Sequence, residues 1–388
     1  MDGEFDLITT AITSKANKVI GGTSGNIVTR TGGGDIQDAG LAATHIMRNN
    51  VVKNGKLDVW QDSRSETGIT GSTARIADGF KFEASNHGTW TIDRSTDVPT
   101  QAQAGGHLNY SIRALCTTAD GTVAAADFAL LNYYVEGYEY AEVYQQAQTI
   151  SFWVKSNLVG TFGAALRNST SDRSYVMTFS ISVADTWELK TVSLTAAPVG
   201  GTWDLTNGAG IILSITLAAG TNFQTTADAW QTGNFVATSA QANLAGTVNN
   251  YLRLADVRLH GGVTRVPVII LSFQQTLSWA RRRFSKTFNY DATPAQNIGT
   301  FAGAHAVYAA DAGFKGLATW DYGTVMRALP TITTYNPHAA TANWRNFANT
   351  LNGTIAVGTV GNRSVTIHLD PGSANEFYGI HVEADARF

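Results

Sequence analysis

Three carboxylates, Glu136, Glu139 and Glu142, recur among Tyr133, Tyr134, Tyr138, Tyr140 and Tyr144. This acidic and aromatic patch is the best local candidate for acid–base chemistry. Hydrolysis of a glycosidic bond, however, needs two carboxylates facing each other across a sugar-sized gap, commonly from different strands. One tyrosine-rich edge folded over a sheet accounts for the same residues. A second polar concentration lies in SVTIHLD and YGIHVEADARF, where alternation puts His368 with Asp370 and His381 with Glu383 and Asp385. Paired as a hairpin, the two strands would place two imidazoles and three carboxylates on one side, a donor set suited to a divalent cation. A solvated or hydrogen-bonded face is the plainer reading, and no metal is assigned. There is no G-x-S-x-G nucleophile elbow, H-E-x-x-H, P-loop or dinucleotide fingerprint. The expectation is a chain that is not an enzyme and needs no cofactor.

Binding of a sugar asks for something else: exposed aromatic planes against the apolar face of the ring, with amides and carboxylates beside them for the hydroxyls. Of nine tryptophans most are expected in a core. Trp203, Trp230 and Trp344 stand in turns rich in Gly, Asn and Thr, and are the candidates for ligand contact. Asp204 and Asn207, close to Trp203, are the candidate polar partners.

The elements that must position these residues are strands. In TISFWVKS, Ile150, Phe152 and Val154 share one face and Ser151, Trp153 and Lys155 the other. SYVMTFSISV groups Tyr175, Met177, Phe179, Ile181 and Val183, and IILSITL groups Ile211, Leu213, Ile215 and Leu217. WELKTVSLT and YLRLADVRLHGG change face after Leu189 and after Leu254, as a β-bulge would require. The predicted fold class is all-β: a jelly-roll β-sandwich over 48–263, then a smaller β domain over 264–388. The latter should open with one helix at about 272–288, since Phe273, Leu277, Ala280, Phe284 and Phe288 recur at helical spacing and Ser272 with Gln275 matches a capping box. Its Arg281, Arg282 and Arg283 are expected on the exposed face.

Residues 1–47 are different. Their few large apolar residues, Val19, Ile20, Ile27, Val28, Ile36 and Leu41, fall singly or in pairs between Gly, Thr and Asn. A segment so built cannot bury them alone, so it is predicted to be an extended anchor that winds around other copies in a homotrimer or docks on another surface. A disordered tail is the alternative.

Composition narrows the partners. With 15% charged residues, a formal net charge of -3 and a pI near 6.2, the chain lacks the clustered cations that phosphate neutralisation requires, so nucleic acid is not expected. Cys116 is the only cysteine, so no intrachain disulfide forms. The start, MDGEFDLITT, lacks a basic and apolar secretion signal, and no apolar run nears the ~20 residues of a membrane helix. Synthesis in a cytoplasm and no membrane insertion are the expectations.

Certain stretches follow one another in a telling order: LDVWQ, IADGFKF, YYVEGYEYA, QTISFWVKS, WQTGNFVA, GTVNNYLRLADVRLHGG, VMRALPTITTY and YGIHVEADARF. From about Leu57 to Phe388 this order resembles a group of tailed-bacteriophage fibre proteins of the virion surface. KANKVIGGTSGNIVTRTGGGDIQDAGLAA is similar to a short repeat near the attachment ends of phage fibres, including fibres on heads. The group often carries Cys-Gln-Arg-Tyr-Tyr where this chain has Ala280 to Phe284, so nothing tied to that cysteine carries over. The resemblance implies a virion-surface jelly roll, a trimer attached to capsid or tail proteins through its N-terminal segment, and adhesion to host surface polysaccharide. A head fibre or capsid decoration protein with a mainly structural role, and a polysaccharide depolymerase, are the alternatives.

Overall fold

The computed structural model describes residues 26–30, 36–42, 48–311, 316–371 and 373–388. In chain order the strands are β1 (Asn26–Arg30), β2 (Ile36–Ala42), β3 (Arg48–Asn49), β4 (Ser65–Ile69), β5 (Thr73–Arg75), β6 (Phe80–Ala84), β7 (Thr89–Ser95), β8 (Ser111–Thr118), β9 (Phe128–Glu136), β10 (Gln148–Ser156), β11 (Gly160–Asn168), β12 (Arg173–Ile181) and β13 (Glu188–Leu194). There follow β14 (Ala209–Ala219), β15 (Trp230–Thr232), β16 (Tyr251–Gly261), β17 (Val268–Ile269), β18 (Phe284–Lys286), β19 (His305–Ala309), β20 (Gly316–Asp321), β21 (Thr331–Tyr335), β22 (Trp344–Asn346), β23 (Asn352–Val360), β24 (Ser364–Asp370) and β25 (Glu376–Asp385).

By its contacts the chain divides into two units, Met1–Asn50 with Thr264–Ile270, and Val51–Val263 with Leu271–Phe388. In the first, β1 and β2 pair antiparallel, with Ile27 opposite Leu41 and Arg30 opposite Ile36, while β3 and β17 pair in parallel. Of the expected anchor residues, Ile27 and Val28 fall in β1 and Ile36 and Leu41 in β2. Val19 and Ile20 lie outside the described residues.

The second unit holds the predicted jelly-roll sandwich. One sheet has the order β13-β10-β16-β8-β7-β4, the other β15-β12-β11-β14-β9-β6-β5. The alternation read from the sequence decides what faces inward: Ile150, Phe152 and Val154 from the first sheet meet Met177, Phe179, Leu213 and Ile215 from the second. Phe152 and Phe179 touch edge to face across the interface, with centroids 5.1 Å apart. Burying one such ring contributes about 2–3 kcal/mol. The bulge expected after Leu254 is present: β10 and β16 shift register between Ser151 and Trp153, and Asp256 takes a φ of 47°. The bulge expected after Leu189 is not. β13 runs in unbroken register with β10 from Glu188 to Leu194, and Leu189 stays exposed on this edge strand while Glu188 and Lys190 pair beside it.

The helix spans Phe273–Arg281, capped as expected by Ser272 and Gln275, and is shorter than its periodicity suggested. Phe284 and Phe288 are buried, but not from a helix. The chain leaves the helix at Arg282, and Phe284–Lys286 adds to the sheet opposite Asp385–Glu383, where ladder hydrogen bonds replace helical ones. The arginines are not all displayed: Arg283 is buried, because the buried carboxylate of Glu136 and the half-buried one of Glu139 reach it. Beyond lies a sheet of order β18-β25-β22-β23-β24-β20, with β19 and β21 also on β25. It closes over Trp320, Trp344, Ile367, Leu369, Tyr378 and Ile380. Among the described residues no helix is long and apolar enough to cross a membrane.

Candidate functional site

The outer face of the seven-stranded sheet is divided. At one end Leu130, Ala165, Val176 and Ala219 lie under Phe223, Phe235 and Val236, which cover them. At the other the outward positions turn polar. Arg75 of β5 is opposite Lys81 of β6, Lys81 opposite Asn132 of β9, Asn132 opposite Ser214 of β14, and Arg167 of β11 opposite Ile212. The ladder thus lines up Arg75, Lys81, Asn132 and Ser214 as a row across four strands; β11 places Ala165 opposite Ser214, and Arg167, two residues on, reaches the row diagonally through its side chain.

Hydrogen bonds tie the row into one network. Ser214 Oγ donates to Asn132 Oδ1 (2.6 Å), and Arg167 Nη2 donates to both Asn132 Oδ1 (3.2 Å) and Ser214 Oγ (2.9 Å). Arg167 Nη1 reaches Asn234 Oδ1 at 2.9 Å. Asn132 Nδ2 and the Tyr134 hydroxyl donate to Glu83, which also pairs with Lys81. Asn132 and Ser214 form a buried floor; Lys81, Glu83 and Tyr134 are half-buried rims, and Asn234 is exposed. The Tyr134 ring stacks on Phe388, centroids 5.5 Å apart and planes at 14°. Burial, then the charge of Glu83, pushes its phenol well above the ordinary range, so it stays protonated and donates. Beside it a cavity of about 30 Å³, lined by Arg75, Asp78, Tyr134, Trp279 and Phe388, has room for water and not for a sugar ring. The row offers donors and acceptors at a spacing suited to hydroxyls, next to the half-buried Tyr134 ring, over which Lys81 Nζ lies 5.6 Å from the centroid.

The residues expected from the sequence fare unequally. Trp203 and Trp230, both half-buried, come together with ring centroids 5.6 Å apart at 78°, in a cluster with half-buried Tyr144 and fully buried Tyr140. Gly137 makes this possible: a Cβ there would lie 2.5 Å from Asp204 O, so only glycine lets the 204–206 loop settle on the tyrosine turn. The indole N–H groups donate to Gly200 O (3.2 Å) and Thr195 O (3.4 Å), so they hold the loops. Asp204 Oδ1 accepts from Thr206 N (2.7 Å) and Thr206 Oγ1 (2.8 Å). Burial raises its pKa, but bonds from Thr206 and Gly208 outweigh burial and hold it below the ordinary range, as in a charged turn. Asn207 is not the polar partner of Trp203: it exchanges two 2.8 Å bonds with Arg327, Nδ2 to the carbonyl and Nη1 to its own carbonyl, and so docks the sandwich on the C-terminal sheet. Trp344 corrects the expectation of a loop tryptophan. It is fully buried in β22, and its Nε1 donates to His368 O (2.9 Å), so no ring face is open to a ligand.

The acidic patch is occupied from within. Glu136 pairs with Arg282 (2.7 Å) and Arg283 (3.3 Å), while Glu139 pairs with Arg283 (3.2 Å) and accepts from Trp279 Nε1. These carboxylates hold the helix to the sandwich. The imagined histidine hairpin is also corrected. β22 and β23 lie between β24 and β25, so His368 and His381 do not share a paired face. His381 is buried flat against Phe288 (4.2 Å, 17°), and burial lowers its pKa. Among the described residues no group of three His, Cys, Asp or Glu side chains is placed to hold a metal.

Sequence reasoning passed over the polar row. A signal was there: Asn132 and Tyr134 are the outward residues of a strand whose inward ones are Leu131, Tyr133 and Val135, and Arg167 follows Ala165 on an apolar strand. Which strands adjoin was needed to put them in line.

No family model and no curated protein matches this sequence. Among solved structures, the chain is similar to the enzymatically active domain of tailspike protein 4 of bacteriophage CBA120, with 11% identity and a TM-score of 0.30 over 54% of this chain and 23% of that one. It therefore spans less than a quarter of the tailspike chain. It is also similar to TmCBM61 in complex with β-1,4-galactotriose (9% identity, TM-score 0.27, 55% of this chain and 99% of that one). The CBM22-1–GH10 modules of Clostridium thermocellum endo-1,4-β-D-xylanase 10B, complexed with xylohexaose, give 13% identity and a TM-score of 0.27 over 57% and 30%.

Proposed function

We propose that the chain is a non-enzymatic glycan-binding subunit of a tailed-phage virion surface, a short homotrimeric fibre held to capsid or tail proteins by its first 47 residues. The polar row beside Tyr134 carries the binding part of this reading: a buried hydrogen-bonded floor, charged rims and a half-buried ring are what a polyol needs. The ordered sequence landmarks support the virion setting, and the sparse apolar residues of the N-terminal segment support the trimer. Weak binding per site becomes firm when several sites of one particle engage together. A structural head fibre is the second reading, favoured by the likeness of residues 15–43 to repeats at head-fibre attachment ends.

Glycan-array binding of the full chain tests the first reading. Wild type should retain bacterial surface glycans, and Tyr134→Ala should bind about tenfold more weakly, the scale of one lost ring contact. Wild type that retains no glycan leaves the structural fibre. Light scattering that finds a stable monomer would remove the trimer.

A further inference from the structure

Arg167 is 7% exposed and lies in the middle of a sheet face. Each of its three hydrogen bonds ends on a neutral oxygen, of Asn132, Ser214 or Asn234, and its buried Nε has no hydrogen-bond partner. Among the described residues it forms no ion pair. Glu83 is the carboxylate whose field acts on it, but that carboxylate is engaged by Lys81, Asn132 and Tyr134. Two cations therefore share one carboxylate in the row, with Arg75 alongside. A buried charge without an opposite one is costly, and a guanidinium cannot relieve the cost by losing its proton. Burial lowers its pKa, but from a value too high for neutralisation to follow. Arg167 bonds outward only to Asn234, an exposed side chain that presents the same sp² oxygen as a carboxylate, without the charge.

We infer that the row selects glycans bearing a carboxylate, an acidic sugar whose carboxyl group displaces the Asn234 amide and pairs with Arg167. The inference rests on the glycan-binding reading above and adds the substrate class. A planar carboxylate matches the guanidinium fork, whereas a ring hydroxyl would leave the charge unanswered. Lys81 and Glu83 then take neighbouring hydroxyls, and Tyr134 the ring.

The test compares oligogalacturonate and sialyllactose with carboxyl-reduced oligogalacturonate and lactose, and with a sulfated oligosaccharide, by calorimetry on the full chain. Wild type should bind at least one acidic glycan tenfold or more tighter than its neutral counterpart, with affinity falling as salt rises. Asn234→Asp places a carboxylate of the chain's own on Arg167; it should cut the preference to about twofold and raise the melting temperature. Arg167→Gln should also lose the preference. Equal binding of acidic and neutral glycans, a stronger response to the sulfated one, or a preference that survives in Asn234→Asp overturns the acidic-sugar assignment and leaves glycan binding standing. Binding of none of the five overturns both.

Discussion

The two sheets of the sandwich turn opposite solutions to the same problem outward. On the six-stranded sheet Asp93, Arg113, Arg253 and Lys155 stand opposite one another across β7, β8, β16 and β10. Every cation there has an acid: Arg113 Nε lies 3.1 Å from Asp93, and Asp97 takes Lys155 at 2.9 Å, Arg253 at 3.3 Å and the Trp187 indole at 3.0 Å. On the seven-stranded sheet Arg167 is more deeply buried and has amides and a hydroxyl only. The first face is complete as it stands. On the second, the acidic ligand proposed above would supply the missing opposite charge, and that difference would separate a structural polar face from a binding one.

The same contrast separates acids. Glu136 is buried against two arginines, whereas Asp78, at the foot of the polar row, is buried with amide donors from Gln61 and no ion pair among the described residues. Burial pushes Asp78 up to about 6. An acid can escape its burial by taking a proton; Arg167 has no equivalent route.

Three experiments press on this comparison. The largest effect should come from Glu136→Ala, which strips Arg282 and half-strips the buried Arg283: about 3 kcal/mol lost in denaturant unfolding. Arg167→Met, which removes a charge that has no ion pair, should cost under about 1 kcal/mol, and a loss equal to that of Glu136→Ala would erase the distinction. Next is a pH effect. The folded pKa of Asp78 lies above its unfolded one, so the folded state holds the proton longer and stability is full below about pH 4 and lost as pH rises through 6. The shift corresponds to about 3 kcal/mol. Acids held below their ordinary range, such as Asp385, slope the other way, so the difference between wild type and Asp78→Asn isolates the effect. A difference that is flat from pH 4 to 7 would show Asp78 to be ordinary. A similarly small effect belongs to Asp97→Ala. Asp97 is partly exposed, and its removal should lower stability by about 1 kcal/mol, less at high salt, with glycan binding unchanged.

How far the sequence reaches depends on whether a signal is local. The inward faces of β10, β12 and β14 were legible because side chains alternate with a period of two. The Ser272 cap was legible for the same reason, as its bonds close within four residues. Phe284 and Phe288 fit helical spacing but owe their burial to strand β25, about 100 residues on, which no local period can announce. Trp344 read as a turn residue, since Thr and Asn surround it, yet the sheet closes over it. Trp203 and Trp230 were legible as loop aromatics, and their packing on each other was not.

The sequence by itself therefore determined the all-β class, the inward faces of the sandwich strands and the helix start, because each follows from residues a few positions apart. Only tertiary structure decided which charges meet. It drew Arg282 and Arg283 onto Glu136 and Glu139, set β22 and β23 between the two histidine strands, lined up Arg75, Lys81, Asn132 and Ser214 from four strands, and brought Arg167 of a fifth within hydrogen-bond reach of them. Strand order is settled by which apolar faces fit together, and neighbours on a sheet face can lie any distance apart in the chain.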